Sequence, residues 1–296
     1  MILGIVPHLK KYHLWDTLNA VLQWSEANKA EVLLPAKAGD AFPQTREFSG
    51  TRFMPENEMA GEADFMLAMG GDGTILAALR HAASGQIPVL GINLGSMGFL
   101  ADTPPENVTE ALDKLQDGSY EIEERMTLEA EIIDSENHFK MIVSNDVVID
   151  KGGYSRVIDI IAEVNGQLLK RYTADGLIIS TPTGSTAYAL SAGGPIVDPA
   201  MEALIVAPIC PHILASRPVV LPADSVIDLT VHSLHGSVNV TGDGQEFLEV
   251  KSGAELIVRR GERKNRLVKT GMGKPFFEVL REKLQWGFRE DSGRLL

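Results

Sequence analysis

Up to residue 118, short runs of apolar residues alternate with longer stretches in which apolar positions recur every three or four residues. Ile2, Leu3, Ile5 and Val6 make one run, and Leu14, Leu18, Val21 and Leu22 then repeat at helical spacing. The first is the pattern of a buried strand and the second that of an amphipathic helix. Glu31-Val32-Leu33-Leu34, Asp64-Phe65-Met66-Leu67 and Ile87-Pro88-Val89-Leu90 predict further strands. Residues 75–81 and 102–118 predict helices, the second with Pro104 and Pro105 at its start. Residues 35–61 are polar, with several prolines and glycines, and predict a long loop with room for a short helix. Strands that alternate with helices predict a parallel sheet, and such sheets take ligands at the carboxyl ends of their strands.

The pattern changes after residue 119. Residues 120–268 hold brief segments rich in Val, Ile, Leu and Thr, among them Met141-Ile142-Val143, Leu177-Ile178-Ile179 and Val238-Asn239-Val240. Turns separate them, and Asn165-Gly166 is a strong hairpin signal. This stretch predicts an all-β domain. At residues 274–284 the helical period returns, with Phe276, Phe277, Leu280 and Leu284 as an apolar face that must pack on something, expected to be the first domain. The expected organisation is an α/β domain of residues 1–119 and 270–296 with a Rossmann-like parallel sheet, and a β-rich domain of residues 120–269.

A chain of 296 residues that is 44% hydrophobic can bury a sizeable core. Its 27 basic residues stand against 40 acidic ones, a formal net charge of -13. That excludes a general nucleic-acid or anionic-membrane binder, which needs a basic face. A polyphosphate ligand would have to be met locally, by backbone amides, a few Arg or Lys side chains and Mg²⁺. The single cysteine, Cys210, has no disulfide partner and is read as a small core residue, which suits a reducing, cytoplasmic location. Pro208, Pro211 and His212 interrupt the most apolar run, residues 203–215, which falls short of the ~20 residues of a membrane span. The N-terminus has no signal-peptide pattern and reads as the first strand.

The most particular stretch is Ala68-Met69-Gly70-Gly71-Asp72-Gly73-Thr74, between a predicted strand and a predicted helix. Its glycines permit positive φ and close approach of a ligand, Thr74 is a plausible N-cap, and the helix would aim its amide groups at the loop. This is a phosphate-binding arrangement with a carboxylate, Asp72, at its centre. A carboxylate suits such a place if it accepts a proton from a hydroxyl nucleophile or helps to hold a metal ion. Residues 91–100 form a second glycine-rich segment. Its spacing is not that of the Rossmann fingerprint, and the chain has no Walker A sequence. In the β region, Ser144-Asn145-Asp146 closes a strand, and Asp175-Gly176 and Gly193-Gly194-Pro195 fit turns. Gly242-Asp243-Gly244-Gln245 fits a hairpin turn. Thr181-Pro182-Thr183-Gly184-Ser185-Thr186-Ala187-Tyr188-Ala189-Leu190-Ser191 places five hydroxyls after a strand and opens a helix, a donor cluster suited to sugar and phosphate oxygens.

Gly-Gly-Asp-Gly-Thr resembles the signature of the NAD kinases and of the related diacylglycerol and sphingosine kinases. With residues 91–100, Asn145-Asp146, Asp175-Gly176-Leu177, the Thr181 block, Gly193-Gly194-Pro195, Asp243-Gly244-Gln245 and the Phe276-Phe277 helix in this order, nearly the whole chain resembles a bacterial NAD kinase. The resemblance implies phosphoryl transfer from ATP to the 2′-hydroxyl of the adenosine ribose of NAD, with Mg²⁺ held mainly by phosphates and water. It implies that Asp72 is the catalytic base, that Gly73 gives close backbone approach and that Phe99 lines the adenine pocket. It implies further that Asn145 and Asp146 contact the adenosine part. Asp175 and the segment Thr186, Ala187, Tyr188, Ala189, Leu190 and Ser191 would embrace the dinucleotide, and Arg156 and Gln245 would reach the substrate. A dimer or tetramer is implied too. Two positions depart from the family pattern. Asp146 stands where Glu is usual, and Thr173 stands where some members carry Arg, so no phosphate contact is assigned there. The competing readings are a diacylglycerol-type lipid kinase, which needs an apolar cleft, and a dinucleotide-binding regulator without turnover.

Overall fold

The computed structural model describes residues 1–95, 98–135, 138–153, 156–213, 215–234 and 236–286. Two compact units form: residues 1–123 with those from 266 onward, and residues 124–265. The tail segment 287–296, which the sequence assigns to the first domain, lies outside the described residues.

In the first unit, β1 (Ile2–Pro7), α1 (Leu14–Asn28), β2 (Glu31–Leu34), α2 (Ala36–Ala41) and β3 (Thr51–Phe53) lead to β4 (Phe65–Gly70). Then come α3 (Asp72–Ala82), β5 (Val89–Asn93), α4 (Val108–Asp117) and β6 (Glu121–Arg125), and much later β19 (Asn265–Lys269) and α6 (Phe276–Leu284). The sheet order is β3-β2-β1-β4-β5-β19-β6, and every pair from β3 through β19 is parallel. Both faces are covered, as a parallel sheet requires. Leu67 and Met69 of β4 join the core under α1 and α4, while Met66 and Ala68 between them join the core under α3. The stripe Leu14, Leu18, Val21 and Leu22 is the buried face of α1. Gly118, in the left-handed region at φ 73°, ends α4 and donates to the carbonyls of Leu115 and Lys114.

Two features of this unit depart from the sequence pattern. Residues 35–61 are not one loop: they hold α2, the parallel edge strand β3 and two 3-10 turns. Three residues of β3, none of them buried, leave no hydrophobic signature to read. In α6 the buried residues are Val279 and Leu280, with Phe276 against Phe99 at 5.8 Å between ring centroids. Phe277 is 60% exposed, because the stripe at i, i+3 and i+4 from Phe276 leaves its neighbour on the solvent side.

In the second unit one sheet has the order β11-β10-β15-β18-β7-β8. These strands are β7 (Leu128–Ile133), β8 (His138–Val143), β10 (Ile158–Val164), β11 (Gln167–Ala174), β15 (Ile227–His232) and β18 (Glu255–Arg260). The other has the order β14-β13-β12-β9-β16-β17. Its strands are β9 (Asp146–Asp150), β12 (Gly176–Ser180), β13 (Ala203–Ile209), β14 (Val219–Pro222), β16 (Ser237–Gly242) and β17 (Glu246–Lys251). All pairs are antiparallel. Alternate residues of both sheets enter one core, including Ile160, Leu229 and Leu256 from the first and Ile149, Leu177 and Leu204 from the second. The other face of the second sheet, at Val148, Ile178 and Ala207, is covered by Ala189 of the short helix α5 (Tyr188–Ser191). Asn165 (φ 51°) and Gly166 (φ 75°) form the β10–β11 hairpin turn as the sequence predicts. Cys210 is not a core residue: it is exposed, at φ 44° just past β13.

The chain's return to the first unit is fixed by one buried carboxylate. Asp102, 5% exposed, accepts the N–H and the hydroxyl of Thr270 at 2.8 and 2.5 Å, and Lys114 Nζ donates to the Thr270 carbonyl at 2.8 Å. Asp102→Ala leaves those buried donors unpaired and is expected to destabilise the protein by about 2–3 kcal/mol. Urea denaturation checks this; an unchanged midpoint would show that the tie contributes nothing.

Candidate active site

In the first unit, β4 ends at Gly70 and α3 begins at Asp72, with Gly71 as N-cap in extended backbone. None of Gly70, Gly71 and Gly73 has positive φ, contrary to the expectation from sequence. The turn uses glycine for closeness instead: a Cβ on Gly70 would lie 2.2 Å from Thr74 Oγ1. Thr74 is inside the first turn of α3 rather than at its cap, and no side chain caps the helix. Gly73 lies in that same turn.

Asp72, the first helical residue, holds the second glycine-rich segment. Its Oδ2 accepts the N–H of Phe99 at 3.0 Å and its Oδ1 that of Leu100 at 3.1 Å. A Cβ on Gly98 would fall 1.9 Å from Oδ1, so the loop closes on the carboxylate only because residue 98 has no side chain. A carboxylate has about four acceptor positions, so two are left for a ligand's proton. Ser96 and Met97 of this segment lie outside the described residues. The half-buried Phe99 ring faces Phe276, and Lys283 Nζ lies 5.5 Å over it.

In the second unit, the register of β9 between β12 and β16 builds a corner. Asp146 pairs with Ser180, and Asp243 N–H donates to the Asp146 carbonyl at 3.0 Å. Asp243 sits in a left-handed turn with Gly244 (φ 53° and 63°). Its carboxylate accepts the backbone N–H of Ser144 at 2.9 Å, of Asn145 at 2.6 Å and of Asp146 at 3.2 Å. The corner is thus fixed through its backbone. Asn145 Oδ1 is buried with no hydrogen bond among the described residues, and the neighbouring Asp146 is 4% exposed. Burial first, and the Asp243 charge second, push the Asp146 carboxyl up to about 7. Gln245 follows this turn, its N–H donating to the Gly242 carbonyl at 2.9 Å.

The hydroxyl cluster is not the donor array that the sequence suggests. Thr181 Oγ1 donates to the Ser144 carbonyl at 2.7 Å and accepts Gly184 N–H at 3.0 Å. Ser185 Oγ bonds both backbone groups of Val197, and Thr186 Oγ1 donates to the Thr183 carbonyl at 3.3 Å. Thr181 and Ser185 are fully buried, so these hydroxyls build the corner rather than face a ligand. Ala189 is likewise core, and Leu190 is half-buried. Tyr188, 46% exposed, and Ser191 remain at the surface. Burial, then the charges of Asp150, Cys210, Asp175 and Asp146, push the Tyr188 phenol up. Asp175 takes an ion pair from Lys151 at 2.6 Å. Both border a cavity of about 760 Å³ with the exposed Arg156, His212 and His232. Nothing in the sequence singles out Asp243 beyond a turn, or Lys151 at all. Their roles depend on partners 97–99 and 24 residues away.

A sequence model described as the ATP-NAD kinase N-terminal domain matches residues 3–120, and one described as the ATP-NAD kinase C-terminal domain matches residues 144–270. The chain is 41% identical to an NAD kinase of Geobacter sulfurreducens over 91% of its length and 93% of that protein. It is 38% identical to an NAD kinase of Moorella thermoacetica over 98% of its length and 91% of that protein. Among solved structures, yeast NADH kinase complexed with NADH aligns over 100% of this chain and 90% of its own, with a TM-score of 0.85 at 25% identity. An NAD kinase from Archaeoglobus fulgidus in complex with ATP aligns over 95% and 99%, with a TM-score of 0.74 at 26% identity. With both domain models matched in order and relatives this similar over almost the whole length, the chain belongs to the NAD kinase family.

Proposed function

We propose that this protein transfers the γ-phosphoryl group of ATP to the 2′-hydroxyl of the adenosine ribose of NAD, giving NADP and ADP. The single observation that best supports the site is the corner at Asn145 and Asp146. Its backbone is held by Asp243, yet the buried amide oxygen of Asn145 has no hydrogen bond among the described residues, and the Asp146 carboxyl beside it is almost fully buried. Buried polar groups are normally paired, so this exception at a fixed strand end, beside a buried carboxyl, supports a polar ligand such as the adenosine part of a dinucleotide. Tyr188 and Ser191 offer a ring and a hydroxyl to the same ligand, Gln245 and Asp175 flank it, and Arg156 supplies a positive charge beside the cavity.

Asp72 takes the proton of the ribose hydroxyl as the oxygen attacks the γ-phosphorus and ADP leaves. Its orientation is set by the Phe99 and Leu100 amides, and Gly73 keeps the backbone open. Phosphoryl transfer asks mostly for positioning and charge neutralisation. Mg²⁺ bound to the donor supplies part of that neutralisation. As a hard cation that keeps its waters, Mg²⁺ would be held mainly by phosphate oxygens and water. A homo-oligomer and a cytoplasmic location complete the proposal; among the described residues no helix is long and apolar enough to cross a membrane.

NADP formation from NAD, ATP and Mg²⁺, read with an NADP-specific dehydrogenase, tests the reaction. Asp72→Asn is expected to lower kcat by roughly 10²–10⁴-fold while NAD still binds by calorimetry. Full activity in that variant would remove Asp72 from the base role. Asp146 adds a pH dependence. The neutral form is favoured in the folded state, so its stabilising effect is present below about pH 4 and is lost as pH rises towards about 7. Each step of one pH across that window removes on the order of 1.4 kcal/mol. Asp146→Asn, which mimics the neutral carboxyl, should flatten the fall of the melting temperature between about pH 4 and about pH 7. Equal slopes in the two proteins would show that Asp146 titrates normally.

A further inference from the structure

The strand order of the first unit reverses between β1 and β4: the chain runs outward from β1 through β2 to β3, and from β4 through β5 in the opposite direction. The crevice at such a reversal is where open α/β sheets receive ligands. Two loops flank it, residues 8–13 after β1 and the Gly71 turn after β4. They are joined directly, since His8 N–H donates to the Met69 carbonyl at 2.9 Å. Lys11 N–H donates back to the His8 carbonyl at 3.0 Å, and the Lys11 side chain reaches the second glycine-rich segment. Its Nζ lies 2.7 Å from the place a Cβ on Gly95 would occupy. Asp72 holds the other end of that segment, at Phe99 and Leu100.

Lys11 is half-buried where Lys10 beside it is exposed. Its ammonium group has neither an ion pair nor a hydrogen bond among the described residues, whereas Lys37, Lys114 and Lys274 of the same unit each face a carboxylate. A half-buried ammonium group without a protein partner keeps its donors for a negative ligand, and in a chain of net charge -13 such a ligand needs a local cation. A compact ammonium is suited to a phosphate chain as a point charge. We propose that Lys11 binds the polyphosphate chain of the phosphoryl donor at the switch point of the parallel sheet, beside the Asp72 loop; this rests on the kinase reading above.

Initial rates of NADP formation are measured for the unaltered protein, Lys11→Ala, Lys11→Arg and Lys10→Ala. ATP and NAD are varied separately, and inorganic polyphosphate replaces ATP in a parallel series. Lys11→Ala is expected to raise the KM for ATP roughly 10- to 100-fold, with the KM for NAD nearly unchanged, Lys11→Arg recovering much of the loss and Lys10→Ala behaving as the unaltered protein. In the polyphosphate series, a matching rise assigns Lys11 to any phosphate chain, and a rise with ATP alone assigns it to the nucleoside triphosphate. An unchanged KM for ATP in Lys11→Ala overturns the proposal, as does an equal rise for both substrates, which marks a structural role. If the unaltered protein forms no NADP with either donor, the kinase reading fails together with it. Activity in the unaltered protein with indifference to Lys11 overturns the Lys11 assignment alone.

Discussion

The first unit's site depends on one carboxylate accepting two backbone N–H groups. Asp72 stands at the first position of α3, where the helix dipole favours a negative charge, and there it holds Phe99 and Leu100 of a segment 27 and 28 residues further on. Those bonds fix residues 98–100 of the second glycine-rich segment beside the start of α3. Without them Phe99 would lose its position against Phe276 and beneath Lys283. The group proposed as the base is therefore the group that shapes its own surroundings.

The second unit uses the same device with the roles divided. Asp243 accepts three consecutive amides and so fixes the Asn145–Asp146 corner, and the Thr181 and Ser185 hydroxyls brace its neighbours. That leaves the buried Asn145 Oδ1 without a partner among the described residues. Burial first, and the neighbouring Asp243 second, lift the Asp146 carboxyl to about 7.

The order of elements in the α/β part was legible because buried strands and amphipathic helices differ in period, and β1, α1, β4 and α3 follow their apolar residues closely. The edge strand β3 was not, since three residues with none buried carry no period. Positions whose chemistry depends on being near the chain's own turns, such as Asp72 after β4 and Asn165-Gly166, could be read directly. Asp243 could be read only as a turn, because its second role arises when β16 pairs with β9. The Thr181 block misled in the other direction: hydroxyls look like ligand donors in a sequence, but most of these are spent on the backbone of the fold. Composition and helical spacing put Cys210 and Phe277 inside, and packing leaves both outside.

To act as a base, the Asp72 carboxylate must be held by the 98–100 segment. Gly98→Ala leaves Asp72 in the chain but puts a methyl group where the carboxylate now lies, 1.9 Å from Oδ1. The most direct measurement is kcat for NADP formation by this variant, with folding checked by circular dichroism and NAD binding by calorimetry. The expected result is a folded protein that binds NAD and turns over at least about 10-fold more slowly, since a small misplacement of a catalytic group is expensive. A folded Gly98→Ala protein with unaltered kcat would contradict this dependence of Asp72 on its loop.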